Sequence, residues 1–565
     1  MHVKRLLIVG GVAGGASCAA RARRLSEETE IVMFERGPFV SFANCGLPYY
    51  VGRVIANEED LLVASPELFR QRFRIDVRIN SRVKAVYCDL RQVEVEDQDS
   101  GRIYRETYDA LVLAPGSAPV KPKLGGIDLP GIYTLWTIPD TRQIVRWIEE
   151  HRVKTAAVIG GGFIGLEMTE NLRHLGIETT IVEMSDQLMP ALDAEMATYI
   201  QAHLESRDVR LRLGTAVTGF SPGKNHKIRV ALADADYFDV DLVVLSVGVR
   251  PRTELARDAG IEIGPSGGIR VDDHMQTSDA AVWAVGDAVE VREYVSAVPM
   301  LVPLAGPANR QGRIAADAIL GRSPQPHRFR GVQATAVCGI MGLTVAATGV
   351  TEKFLNSLND PSLIGAYEKI YLHPDHHVKY YPDAKTITMK LIFSLPDGRV
   401  LGAQALGLEG VEKRIDVISM AIQKQATVFD LEEAELCYAP QYGSAKDPVN
   451  MAGMIAANVL RGYSEVEHWQ RLNRSDPFIL DVRDPEEYEA SHIPGAVNIP
   501  LNQLRRRLSE LPRDREVWTH CFVGQRSYYA ERILRQNGFQ VKNLSGGYFL
   551  YETMTNAADR HRRRD

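Results

Sequence analysis

Residues 156–183 read AAVIGGGFIGLEMTENLRHLGIETTIVE. An apolar run ends in glycine, with Gly160, Gly162 and Gly165 in the spacing of a dinucleotide fingerprint. A helix-like segment follows, and a second apolar run closes on Glu183, 18 residues beyond Gly165. Strand, glycine turn, helix, strand and acid make up a dinucleotide-binding βαβ unit. The first glycine allows the tight turn, the second lets backbone approach a pyrophosphate, and the third lets the helix pack close to the strand. A carboxylate at Glu183 accepts hydrogen bonds from a ribose 2′-hydroxyl and repels a 2′-phosphate, which favours NADH, with NADPH as the alternative.

The same pattern opens the chain. RLLIVG (5–10) leads into GVAGGASCAARARRL, which reads as a helix, and EIVMFE ends at Glu35, 20 residues beyond Gly15. Gly10 and Gly15 hold the outer positions, but Val12 stands at the middle one. By itself this turn reads equally as an ordinary βα connection; the complete second copy makes two dinucleotide units, naturally a flavin one and a nicotinamide one. YDALVLAPGSAP (108–119) and DLVVLSVGVRP (241–251) are apolar strands ending in glycine, expected where the chain crosses between two such domains. WAVGDAVE (283–290) puts Asp287 at a strand end, either as a helix N-cap or facing a flavin ribityl or pyrophosphate.

The chain has 565 residues, enough for roughly three or four domains. Apolar residues make up 45% and charged residues 24%, which excludes collagen-like and disordered classes. A formal charge of -6 gives no reason to expect nucleic acid or an anionic membrane as partner. No apolar run approaches roughly 18 residues, so no transmembrane helix is expected. MHVKRLLIVGGVAGG leads into a strand-to-helix turn, so no signal peptide is read and a cytoplasmic protein is expected. Cys18, Cys45, Cys88, Cys338, Cys437 and Cys521 form no CxxC pair, which argues against a zinc cage, a disulfide scaffold and a dithiol motif; no metal site is expected.

GGVAGG, GGGFIGLE and AVGDA occur in the order that resembles the pyridine nucleotide-disulfide oxidoreductase family, over residues 1 to 450. The resemblance implies an FAD-binding domain from 1–120 and 248–325, an inserted NAD(P)H-binding domain at 121–247, and an α+β dimerisation domain at 326–450, hence a homodimer. In that company Asp287 joins Gly10, Gly15 and Glu35 as a flavin contact. SFANCGLPYY (41–50) carries one cysteine where other members carry two, and resembles the single-cysteine branch of coenzyme A disulfide reductases and their relatives. Val12 is then a trait of that branch. The resemblance makes Cys45 the nucleophile, with the second sulfur supplied by the substrate. It also assigns coenzyme A contacts to Arg24, Ser41 and Asn44, with the RARRL cluster reading equally as a solvated helix face. VKYYPDA and ELCYAPQYGSAKDPVN resemble the branch's tyrosine segments, so Tyr380 and Tyr438 are expected to reach the cysteine of the partner subunit, where a phenol donates a proton to a departing thiolate.

The physical chemistry of a thiol points the same way. Its pKa falls near a helix N-terminus or a cation, so a cysteine in a small-residue loop leading toward GLP is expected to be activated. Cys18, in a helix, and Cys88, in a strand-like segment, read as inert, and Cys338 and Cys437 as structural.

A new pattern begins near residue 471, after a linker at 451–470. DVRDPEEY, HIPGAVNIP, CFVGQRS and GGY resemble a rhodanese domain, an α/β fold at 471–565. The CFVGQR loop is expected to wrap around the Cys521 sulfur, with backbone N–H groups and the following helix N-terminus stabilising a thiolate or persulfide. Arg526 counts with Cys521 among the catalytic candidates; it falls one residue early for a tyrosine-phosphatase loop, where Ser527 stands instead. Phe522 occupies the position that many rhodaneses give to a basic residue, which weakens thiosulfate as donor and fits a thiol persulfide.

The whole resembles fusions of coenzyme A disulfide reductase and rhodanese, which include NADH-dependent persulfide reductases. The expected activity is FAD-dependent reduction by NADH of coenzyme A persulfide, polysulfide or coenzyme A disulfide through Cys45, releasing sulfide and thiol, with Cys521 carrying sulfane sulfur. Three alternatives stay open: an NADH peroxidase or oxidase cycling a Cys45 sulfenic acid beside an independent sulfurtransferase, a rhodanese domain that docks a sulfur-relay protein, and a redox sensor with negligible turnover.

Overall fold

In the computed structural model, residues 3–321, 325, 327–358, 360–474 and 476–562 are described. Residues 1, 326 and 565, which bound domains read from the sequence, lie outside them. Two compact units emerge: residues 1–186 with 209–334, and residues 187–208 with 335–565.

The first unit holds two parallel five-stranded sheets of the same design. One has the order Val282–Ala284, Ala110–Leu113, Arg5–Val9, Glu30–Phe34, Asp76–Arg78. The other has the order Arg210–Leu213, Glu178–Glu183, Thr155–Ile159, Leu242–Leu245, Ile132–Thr134. In each, the strand that precedes the glycine turn is central and buried on both faces, which is why its sequence is continuously apolar rather than alternating. The two chain crossings pair with each other: Ser117–Pro119 runs antiparallel to Val249–Pro251. These are the segments expected to cross between dinucleotide domains.

The glycine turns are dictated by close approach. Gly10 and Gly160 sit in the left-handed region at φ +98° and +107°. A Cβ on Gly15 would lie 1.8 Å from the Gly10 carbonyl oxygen, and one on Gly165 would lie 2.0 Å from that of Gly160. The middle position behaves differently. A Cβ on Gly162 would meet no protein atom within 4 Å, so its smallness answers to nothing in the chain's own packing.

The second unit contains an antiparallel sheet in the order Ala336–Ile340, Leu343–Gly349, Val400–Gly407, Ile387–Ser394, Tyr367–Leu372, packed by helix Val411–Gln423. It also contains a parallel sheet in the order Val466–Glu467, Val541–Leu544, Val517–His520, Phe478–Asp481, Val497–Asn498, which carries the Cys521 loop. The sheets are tied by the Tyr371 N–H donating to Ser545 Oγ (3.0 Å), His468 Nε2 against Glu368 (2.9 Å) and His373 Nε2 against the Gly546 carbonyl (3.1 Å).

Helix Ala194–Glu205, which the sequence reading counted with the nicotinamide domain, packs in the second unit. Its anchor is the fully buried Lys390 ammonium, bonded to Asp193 Oδ2 (2.7 Å), Glu195 Oε1 (2.5 Å) and Glu352 Oε2 (2.5 Å). A buried cation needs such partners, and three carboxylates that would repel one another are held together by it. The mixed α/β architecture, with Rossmann-like dinucleotide domains, a dimerisation domain and a rhodanese domain, is as expected.

Gly165→Ala should cost about 1–3 kcal/mol of stability through overpacking, read as a lowered midpoint of thermal unfolding. Gly162→Ala should leave the midpoint unchanged. Equal midpoints for the two variants would contradict the packing account.

Candidate active sites

Each acid at the end of a dinucleotide unit first organises its own glycine loop. Glu35 accepts hydrogen bonds from Gly11 N–H through Oε2 and from Gly37 N–H through Oε1, both at 2.9 Å. Glu183 accepts from Gly161 N–H and Ser185 N–H, both at 2.8 Å. A carboxylate oxygen has further acceptor capacity, so either group can still take a ribose hydroxyl. Asp287 is half-buried at a strand end beside Gly286, at φ +85°, and accepts from Ser117 Oγ at 2.7 Å. Burial pushes its carboxyl up, with the Ser117 bond opposing.

These residues fit a dinucleotide at both glycine turns of the first unit. The room at Gly162 stands at the N-terminus of the twelve-residue helix Phe163–His174, where free N–H groups and the helix dipole favour a pyrophosphate.

Cys45 lies in a single 3₁₀ turn, Asn44–Gly46, ahead of the short helix Leu47–Val51, and its thiol is exposed. The expected activation by the following helix is not what the surroundings provide. The thiol pKa is raised, first by desolvation from the protein packed around it, then by the Glu167 carboxylate, with Asp287 adding to it and only a backbone hydrogen bond opposing. Desolvation acts on this accessible thiol because solvent is displaced from much of its neighbourhood.

Glu167 is the residue that sequence reading missed at this site. It is the final letter of GGGFIGLE, so the signal was present in the fingerprint. Burial raises its carboxyl to about 7, with the Tyr49 hydroxyl 3.5 Å from Oε1 opposing. Tyr49 belongs to the helix that follows Cys45.

Of the coenzyme A candidates, Ser41 and Asn44 share the Cys45 loop. Ser41 is left-handed at φ +49°, and the Asn44 amide donates to the Trp136 carbonyl at 3.3 Å. The RARRL cluster divides. Arg21 pairs with Asp317 at 2.6 Å, and Arg23 is buried, donating to the Phe73, Ser26 and Arg74 carbonyls. Arg24 is exposed in the last helical turn.

Tyr380 and Tyr438 stand together in the second unit, their hydroxyls 2.8 Å apart and the residues 74% and 47% exposed. Hydrogen bonding to Tyr438 raises the Tyr380 phenol.

At the other thiol, Cys521 follows strand Val517–His520 and is 1% exposed. Its Sγ accepts from Gly524 N–H at 3.2 Å and lies 3.6 Å from the buried Ser527 hydroxyl. Gly524, at φ +97°, turns the loop into the twelve-residue helix Gln525–Gln536. Arg526 is committed elsewhere: its guanidinium meets both Glu487 oxygens at 2.6 and 2.7 Å, and Asp484 at 3.2 Å. Such a bidentate pair leaves little charge for an incoming anion. DPEEY, read from the sequence only as a domain marker, supplies the two carboxylates.

The charge on Glu167 that opposes Cys45 ionisation exists above about pH 7 and is lost as pH falls through that value. Glu167→Gln should therefore move the pH profile of Cys45 alkylation by iodoacetamide to lower pH. An unchanged profile would show that the two groups are not coupled.

Residues 4–308 match the pyridine nucleotide-disulphide oxidoreductase family, 335–447 its dimerisation domain and 464–553 the rhodanese-like domain. The chain is 34% identical over 457 residues to a Methanocaldococcus jannaschii protein named NADH oxidase, covering 81% of this chain and 99% of the relative. It is 31% identical to the Staphylococcus haemolyticus coenzyme A disulfide reductase, covering 81% and 100%. Reduced Bacillus anthracis CoADR-RHD superposes with a TM-score of 0.94 at 43% identity, over 98% of each chain. A NAD-dependent persulfide reductase from A. fulgidus gives 0.89 at 35% identity, over 97% of this chain and 100% of that one. A profile match spanning the two dinucleotide units, joined to these full-length likenesses, establishes that the chain belongs to the pyridine nucleotide-disulphide oxidoreductase family and carries a fused rhodanese domain.

Proposed function

We propose that this oxidoreductase uses NADH and FAD to reduce a coenzyme A persulfide or polysulfide, and coenzyme A disulfide, at Cys45. The observation that carries this reading is the Cys45 thiol, exposed in a turn beside the half-buried, titratable Glu167. The likeness to a persulfide reductase along 97% of the chain supports the substrate class. Bound FAD supplies transfer of the nicotinamide's electron pair to a sulfur–sulfur bond.

The residues do the rest. Gly10, Gly15, Glu35 and Asp287 hold the flavin dinucleotide; Gly160, Gly162, Gly165 and Glu183 hold NADH. The Cys45 thiolate attacks the inner sulfur of R–S–SH, forming Cys45–S–S–R as hydrosulfide leaves. Two electrons and a proton then return Cys45 to the thiolate and release R–SH, so that NADH and R–SSH become NAD⁺, R–SH and HS⁻. Arg24, Ser41 and Asn44 position coenzyme A. In a homodimer, Tyr438 of the partner subunit donates the proton to the departing sulfur, with Tyr380 bonded to it. Cys521 accepts sulfane sulfur in the fused domain, which raises its local concentration. The free state of all six cysteines fits a reducing, cytoplasmic setting.

A second reading has one observation in its favour: the Methanocaldococcus relative is named NADH oxidase. There Cys45 would cycle through a sulfenic acid.

Cys45→Ser should retain flavin while NADH-driven sulfide release falls by at least about 1000-fold; sulfide release at the wild-type rate would sink the mechanism. Tyr438→Phe should lower turnover by roughly 100-fold, the usual loss when a proton donor is removed. Full activity in that variant would remove the phenol from the cycle.

A further inference from the structure

An aromatic residue, not a cation, directly follows Cys521 in its loop. Phe522, the next residue, is 38% exposed, and its ring centroid lies 5.6 Å from that of Phe549. Phe549 is backed by two further rings: His373 meets it edge-on at 4.9 Å and Tyr199 at 5.6 Å. Burial pushes His373 down to about 4, so this imidazole is neutral at physiological pH.

The backbone fixes the aromatic surface against the sulfur loop. The Tyr548 N–H donates to the Cys521 carbonyl at 2.8 Å, and the Phe549 N–H to the Phe522 carbonyl at 2.9 Å. Gly547, left-handed at φ +62°, permits this approach, because a Cβ there would lie 2.5 Å from the Phe522 oxygen. Meanwhile the loop's own cation, Arg526, is neutralised by Glu487 and Asp484.

We infer that Cys521 is loaded by an organic persulfide whose carbon skeleton rests on the Phe522–Phe549 shelf, and that the committed Arg526 together with Phe522 excludes thiosulfate. This rests on the reading of Cys521 as the sulfur-accepting thiol. A thiosulfate dianion would lose water and meet only an Arg526 already shared with Glu487 and Asp484, whereas an organic persulfide presents one ionisable sulfur and an apolar stem. In the step, the Cys521 thiolate attacks the outer sulfur of R–S–SH. The donor S–S bond breaks, a Cys521 S–S bond forms, and R–S⁻ leaves with the bonding pair. Cys521–S–SH keeps the proton, and no net oxidation occurs. The Gly524 N–H, already on Sγ, is placed to steady the reacting thiolate.

The test uses the full-length, flavin-loaded homogeneous enzyme, with cyanide as acceptor and enzyme-dependent thiocyanate as readout. Coenzyme A persulfide should exceed thiosulfate in kcat/KM by on the order of 100-fold, the discrimination expected when a site leaves one ligand's polar group unmatched. Phe522→Arg should raise kcat/KM for thiosulfate about tenfold, as expected for one added ion pair. Glu487→Gln, which frees Arg526, should act in the same direction. Thiosulfate matching the persulfide in the wild type, or an unchanged donor ratio in both variants, would overturn the inference. Cys521→Ser should abolish transfer from either donor; transfer persisting there would instead refute the reading of Cys521 itself.

Discussion

The approach of a helix to the strand before it, with no side chain between, is the constraint on which the chemistry depends. At Gly15 and Gly165 the helix comes so near the preceding glycine carbonyl that a Cβ would lie within 2.0 Å of it. That contact fixes the helix N-terminus directly beyond the glycine turn, and it is enforced twice in one chain. The acids at the far ends of these units reinforce it, since Glu35 and Glu183 each bind the N–H of the residue after the first glycine. One carboxylate thereby shapes the loop at a distance along the chain, which explains why loop and acid occur as a set.

The two thiols are prepared in opposite ways. Cys45 is accessible, yet its ionisation is held back by desolvation and by carboxylates, of which Glu167 titrates near neutrality. A thiol so placed is a restrained nucleophile until its electrostatic surroundings change, and a positively polarised neighbour would change them. Cys521 is enclosed, with a backbone N–H and a buried hydroxyl around its sulfur. Enclosure suits a sulfur carrier, because a persulfide sequestered from solvent is protected from stray thiols.

Most of the architecture was legible because it is local. Continuous apolar runs, glycine spacing and terminal acids lie within 28 residues of one another at 156–183, and the CFVGQRS loop is contiguous. What escaped was set by residues far apart in the chain. Nothing near Arg526 announces Glu487, 39 positions away, which takes its charge. The raised thiol of Cys45 comes first from desolvation and then from Glu167 on the helix Phe163–His174, neither of which is visible in SFANCGLPYY, whose local reading predicted activation instead. Helix Ala194–Glu205 follows the nicotinamide unit in sequence but is claimed by the buried Lys390. The basic cluster at residues 21–24 needed the structure to separate the buried Arg23 and the paired Arg21 from the exposed Arg24.

The central claim is that NADH oxidation is coupled to cleavage of a sulfane sulfur bond at Cys45. Its most direct test is anaerobic NADH oxidation with coenzyme A persulfide, coenzyme A disulfide and hydrogen peroxide in parallel, with sulfide measured at the same time. The account predicts fastest oxidation with the persulfide and one sulfide released per NADH consumed. Oxidation confined to the peroxide, with no sulfide from the persulfide, would contradict it.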